Sequence, residues 1–389
     1  MTVLPKPSRE RLTEIFLLLA GLPSPSRHER RVADAITTHL ASLGITAHED
    51  KTGEAIGGDA GNLWCTVHGR DPEPSVALGA HMDTVELSDS LEPYLDTDGV
   101  FRNRRPTIVG ADDKVAVAAL LHATELLKTS GRPFPTYEMF FSVSEETGLV
   151  GIKHMADDIL KSPFGMVLDS SGPVGGVVAK APSLMLLHAT FRGHAAHAGV
   201  EPERGRSAIQ AASKAITAMR LGRLDRETSA NIGVIRGGVA TNIVPDVCRI
   251  EGECRGHDET RLAEVAGDMV DAVQRAAAET GVDVDVDLSH DFRAFSLSSR
   301  APAVRLARAA VEALSIEPRM MTAGGGSDAN ILNARGLPTV NFSIGSMHAH
   351  SPDEYVALDE LEKLCNLVLQ LIILAPEYAP KTKEAASGS

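Results

Sequence analysis

"SVSEETGLVG" (residues 142–151) sets Glu145 and Glu146 side by side directly after the apolar run Met139 to Val143. That run has the length and composition of a buried strand. Strands buried on both faces belong to α/β sheets, which bind ligands at the carboxyl ends of their strands. Two adjacent carboxylates there repel each other, so the stretch is either a solvated acidic turn or part of a site that holds positive charge. The segments around it decide between the two.

Upstream, "NLWCTVHG" (62–69) and "SVALGAH" (75–81) are further apolar runs, and Lys114 to Leu127 reads as a buried helix. Glu138 to Val143 and Phe164 to Leu168 continue the strand series, so strands alternate with helices in the manner of a sheet covered on both faces. Ser26 and Glu29 have capping-box spacing before a helix expected to run to Leu43, with Gly44 just past its end. From Pro182 the pattern changes. "SLMLLHATFRG" predicts a strand, Ser207 to Leu221 a helix, "NIGVIRGG" and "DVCRIEGECR" two strands, Glu259 to Thr280 a helix and "VDVDVDL" a last strand. This β-α-β-β-α-β order is a compact unit that can be inserted in a host domain. Ala303 to Leu314, "TVNFSIG" (339–345) and Leu358 to Leu374 then resume the first pattern. The expected division is a first domain from 1–181 and 296–380, an inserted α+β domain over 182–295, and a disordered tail over 381–389.

A chain of 389 residues suits about two domains. With 43% apolar and 23% charged residues it has the composition of a soluble globular protein. Its 38 basic and 52 acidic residues leave a formal charge of -14, which repels a phosphate backbone and argues against nucleic acid as a partner. Cys65, Cys248, Cys254 and Cys365 lack any CxxC spacing and read as reduced core residues. "EIFLLLAG" (14–21) is short and apolar after basic residues, yet Leu12, Ile15, Phe16 and Leu19 fall at helical spacing and Glu14 interrupts the basic region. An amphipathic helix, no membrane span and a cytoplasmic location are expected.

The strand ends carry the chemistry. "LGAHMDTVE" (78–86) puts His81 and Asp83 on one face of a strand end. "IVGADDKVAVAAL" (108–120) places Asp112 and Asp113 where a turn enters a helix, a position at which acids also serve as caps. Asp169 closes the strand in "VLDSSG", and "SMHAHSPDEY" supplies His348 and His350. Gathering so many acids in one crevice costs on the order of several kcal/mol unless cations neutralise them. A pair of divalent metals is the economical explanation. Imidazole and carboxylate together suit zinc, and cobalt or manganese also fit. Two metals roughly 3.5–4 Å apart share a bridging carboxylate and activate a water between them. Of two adjacent glutamates, one can then bind metal while the other takes the proton from that water.

The ordered set HMDTV, GADDK, SEETG, LDSSG and HSPDE resembles the dizinc peptidase family that includes peptidase T, glutamate carboxypeptidase, aminoacylase and succinyl-diaminopimelate desuccinylase. The likeness runs from "PSPSRHE" at 23 to "HSPDEY" at 350, and GADDK with the LDSSG aspartate is most similar to the tripeptide aminopeptidases. It implies a phosphorylase/hydrolase-like α/β catalytic domain with a mixed sheet, and an inserted lid and dimerisation domain. It makes His81, Asp112, Glu146, Asp169 and His350 the metal ligands, with Asp112 bridging, and makes Glu145 the general base and acid. Asp83 would orient His81. His350 is preferred to His348 because the family's His, three residues, Glu pattern fits His350 and Glu354. His197 would stabilise the oxyanion, and Asn242, Arg255 and Gly325 would bind substrate. Val115 and Ala116 depart from a glycine frequent in relatives. The expected activity is aminopeptidase action on di- or tripeptides, with a possible homodimer through the inserted domain. The alternatives are an N-acyl amino acid deacylase or carboxypeptidase on the same scaffold and, from another class, a peptide-binding protein without turnover.

Overall fold

The computed structural model describes residues 4–380; the tail expected over 381–389 lies outside them. The described chain falls into two compact units. The first comprises the chain through Lys180, the segment Ser296–Thr322 and the chain from Ser327 on. The second comprises Ala181–Phe295 together with the short strap Ala323–Gly326.

The first unit is built on one large mixed sheet. Its spatial order is His48–Glu49, Leu63–Val67, Tyr137–Ser142, Ala77–His81, Gly165–Ser170, Thr339–Ser343 and Gly176–Ala181, with Arg319–Thr322 paired to the last of these. The four middle strands, from Tyr137–Ser142 to Thr339–Ser343, are mutually parallel, so their carboxyl ends share one edge of the sheet. Ala77–His81 is buried at every position, which is why its sequence is continuously apolar rather than alternating. Gly79 belongs to this packing: a Cβ there would lie 2.0 Å from the ring of Phe140 on the neighbouring strand.

Helices flank the sheet. Ala111–Thr129 is almost wholly buried and packs against Arg9–Ala20 and Leu358–Tyr378. Arg9–Ala20 turns Leu12, Ile15, Phe16 and Leu19 inward as their spacing predicts, with Ser8 accepting the Arg11 N–H as its cap. The capping box expected from Ser26 and Glu29 does not form. The helix runs Arg30–Ser42 with no side-chain cap. Ser26 Oγ instead donates to Asp83 Oδ2 at 2.6 Å, and Glu29 accepts the N–H groups of Arg27 and Ser144. Both polar side chains are drawn to buried partners from distant segments, which offer more than a solvated helix end does.

The second unit is a five-stranded antiparallel sheet in the order Gly222–Arg223, Thr228–Gly237, Val247–Gly256, Ser183–Arg192 and Asp283–Phe292. The helices Ala208–Ala218 and Glu259–Thr280 bury an apolar stripe against it, including Ala212, Leu262, Val265 and Met269 over Phe191, Cys248 and Ile250. The strap Ala323–Gly326, which boundaries drawn from periodicity leave in the other unit, clusters here. Gly326 abuts Phe292 so closely that a Cβ would stand 2.3 Å from its ring.

Candidate functional site

His81 ends its strand fully buried, and its imidazole meets acids on both sides. Nε2 lies 3.3 Å from Asp112 Oδ1 and 3.7 Å from Asp169 Oδ1, while Nδ1 lies 3.0 Å from the Asp83 carbonyl oxygen and 3.4 Å from Asp83 Oδ1. Asp112 faces both ways: its Oδ2 is 3.3 Å from His350 Nε2, which is also 2.9 Å from Glu146 Oε1. Two groups of potential ligand atoms result, His81 with Asp112 and Asp169, and Asp112 with Glu146 and His350, each within 4.8 Å of one another. Asp112 is common to both. His348 is not part of either group; its ring packs 5.8 Å from that of Tyr355. His348 and His350 both take left-handed backbone, at φ 57° and 64°. Ser351 Oγ donates to the His348 carbonyl oxygen and pins the turn.

Buried acceptors fix the backbone of the loops that carry these groups. The carboxylate of Asp83 takes the N–H groups of both Glu145 and Glu146, at 3.0 and 3.1 Å. Glu29 takes that of Ser144. Glu354 takes those of Gly110 and Asp112, at 2.7 and 3.0 Å. Asp113 Oδ2 takes that of His81, and Asn341 Oδ1 that of Asp169. Sequence reading gave Asp113 and Glu29 only capping roles and gave Glu354 no more than a place in a pattern. It gave none to Asp328, which is buried and accepts the Ser142 hydroxyl at 2.5 Å while its Oδ1 has no hydrogen-bond partner among the described residues. Glu29, Asp113 and Glu354 at least lie within quoted stretches, whereas Asp328 lies in none and is marked only by standing three residues past Gly325.

The electrostatics are those of crowded acids. Burial, with the charges of Asp112 and Asp328 added, pushes the Asp169 carboxyl up to about 7. Burial and the nearby Asp169 hold Glu145 well above the usual carboxylate range, and burial with the charge of Asp112 raises Glu354 to about 7. Burial opposes charge on His81, but the surrounding carboxylates of Asp112, Asp169 and Asp83 outweigh it and raise the imidazole well above its ordinary value. The nearby carboxylates of Asp112 and Glu146 raise His350 to about 10. Lys114, the fully buried lysine beside these acids, donates to the Leu22 carbonyl oxygen instead of pairing with any of them. Glu146 Oε1, though close to His350, accepts no well-directed hydrogen bond among the described residues. Carboxylate oxygens and imidazole nitrogens that converge on Asp112 from both sides, with Lys114 engaged by a carbonyl oxygen instead and Glu146 Oε1 lacking a donor among the described residues, form a donor set that fits two divalent ions sharing Asp112.

Residues 77–374 match the sequence profile of peptidase family M20/M25/M40. The chain belongs to this family. As a member it is a metallopeptidase hydrolase. It is 36% identical to the uncharacterized protein YqjE of Bacillus subtilis (strain 168), with 94% of this chain and 98% of that protein covered. Among solved structures it is similar to aminopeptidase PepT from Bacillus cereus ATCC 10987, with 36% identity, a TM-score of 0.84, and 95% and 99% of the two chains covered. It is also similar to a tripeptidase from Staphylococcus aureus subsp. aureus Mu50, with 33% identity, a TM-score of 0.89, and 96% and 100% covered. The resemblance read from the five motifs and the mixed α/β fold are thus both borne out.

The residues expected on the substrate side, His197, Asn242, Arg255 and Gly325, all fall in the second unit. The exposed His197 accepts the Gly199 N–H at Nδ1 and forms a bridge with Ile243. Arg255 is held by Glu253, its Nε 2.8 Å from Oε1 and its Nη2 3.0 Å from Oε2.

Proposed function

We propose that this member of the family is an aminopeptidase acting on di- or tripeptides with two zinc ions. The observation that carries the reading is Asp112, whose two oxygens face two histidines at 3.3 Å each. Each histidine has a further carboxylate of its own. In this reading His81, Asp112 and Asp169 hold one ion, and Asp112, Glu146 and His350 the other. Divalent ions, when bound, acidify water and polarise a carbonyl. Glu145 accepts the proton that the attacking water gives up and returns it to the leaving amine, a double duty suited by burial that lifts its carboxyl toward neutrality. Asp83 orients His81 and, through two N–H groups, the segment carrying Glu145. His197 donates to the developing oxyanion. Asn242, Arg255 and Gly325 hold the peptide's backbone and carboxylate.

The formal charge of -14 argues against nucleic acid, and no helix among the described residues is long and apolar enough to cross a membrane. A cytoplasmic location completes the reading. So does a homodimer through the inserted unit, supported by the exposed Ile235, Val239 and Ile243 on that unit. The test is a peptide panel, free or blocked at each end, assayed with and without chelator and after readdition of zinc, cobalt or manganese. Cleavage of free tripeptides, lost with an N-terminal acetyl group and with chelator, is expected. Preference for N-acetyl amino acids would assign a deacylase instead.

A further inference from the structure

On the strand Val247–Gly256 of the second unit, Arg249, Glu251, Glu253 and Arg255 alternate along one face. No role above uses Glu253, yet it takes a whole edge of a guanidinium. Arg255 Nε donates to Oε1 at 2.8 Å and Nη2 to Oε2 at 3.0 Å. The opposite end of the fork, Nη1 with the second hydrogen of Nη2, is left over, and among the described residues Nη1 has no hydrogen-bond partner. Nη1 lies 3.5 Å from the point where a Cβ on Gly325 would sit. Gly325 and its neighbours Gly324 and Gly326 present no side chain to the arginine. The two paired side chains keep 32% and 34% of their surface exposed, so a solute can reach the pair.

We infer that Glu253 is a positioning residue that sets specificity for the peptide's C-terminus: by gripping Nε and Nη2 it turns the remaining edge of Arg255 toward the glycine strap, where that edge receives the substrate carboxylate. The inference rests on the carboxylate-binding role proposed for Arg255 and Gly325. Two effects of Glu253 compete. Its charge offsets that of Arg255 and weakens attraction for an anion, but at one-third exposure that loss is screened by water. Its two-point grip removes rotamer freedom from a long side chain before the substrate arrives, and a bidentate fork delivers its full strength only when held in plane. Orientation prevails in this setting, so removing Glu253 weakens carboxylate recognition.

The test measures kcat and KM of the metal-loaded protein for one tripeptide as the free acid and as its C-terminal amide, with E253A, E253Q and R255A beside the unaltered chain. Preference for the free acid is expected to vanish in R255A and to shrink roughly three- to tenfold in E253A, the entropy of one immobilised side chain, with the change carried by KM. E253Q retains an oxygen that accepts from Nε and keeps most of the preference, which a loss of fold in E253A would not predict. Full preference in E253A together with loss in R255A overturns the positioning role. Full preference in R255A shows instead that the carboxylate reading has failed.

Discussion

Glu145 and Glu146 share a loop but not an environment. Glu146 reaches His350 and Asp112, whereas Glu145 is buried near Asp169, His81 and Asp328 and holds no ion pair among the described residues. One neighbour is therefore placed to bind a cation and the other to move a proton. Glu145→Gln keeps the shape of the side chain and removes its basicity. It is expected to lower kcat by roughly 10²- to 10⁴-fold while elemental analysis finds the metal content of the unaltered chain. Retained activity would remove Glu145 from the reaction, and lost metal would make it a ligand. The same scale explains why some of the site was illegible in the sequence. A ligand announces itself by residue type at a strand end, but Asp113, Glu354 and Glu29 act by accepting a main-chain N–H from elsewhere. Any buried acid can do that, and the partner's position depends on the finished fold.

At the scale of elements, four parallel strands set the common edge at which His81, the Glu145 loop, Asp169 and the turn of His350 gather. The longer strands and helices were legible because their apolar periods are strong: Ala77–His81 is buried on both faces, and Glu259–Thr280 shows a clean stripe from Leu262 to Ala277, whereas Gly176–Ala181 and Arg319–Thr322 were not read. The order of the strands across the sheet was not legible, because Tyr137–Ser142 lies between the sequence neighbours Leu63–Val67 and Ala77–His81, a choice that local pattern does not encode. Gly79 shows how tightly those neighbours are packed. A methyl group there must displace the Phe140 ring, so Gly79→Ala is expected to destabilise the first unit by roughly 1–3 kcal/mol, read as a lower denaturant midpoint with an unchanged slope. An unchanged midpoint would mean that Phe140 has room to move.

The whole molecule carries an acidic excess, and part of it is the buried cluster, where protons and metal ions must compete for the same oxygens. The metal-free protein makes the competition visible. Asp169 and Glu354 have folded values raised to about 7 and Asp328 to about 6, in each case first by burial, against ordinary values of 3.8 for Asp and 4.5 for Glu. A group whose pKa is higher folded than unfolded binds its proton more tightly in the folded state, so its stabilisation is full below the unfolded value and is lost as pH rises through the folded one. The chelated protein should therefore lose stability between about pH 4 and 7; above that range His350, raised to about 10, and Lys114, lowered by burial to about 7, contribute with opposite signs. Divalent ions reverse the sign, because they bind the ionised oxygens and gain affinity as the protons leave. Thermal unfolding followed across that range with chelator and with zinc should give curves that diverge toward neutral pH. At saturating metal the gap is expected to reach about 4 kcal/mol if free metal stands a thousandfold above its dissociation constant. Curves that stay parallel would show that these carboxyl groups do not titrate against a bound ion, and that the acids of the cluster are held apart by some other means.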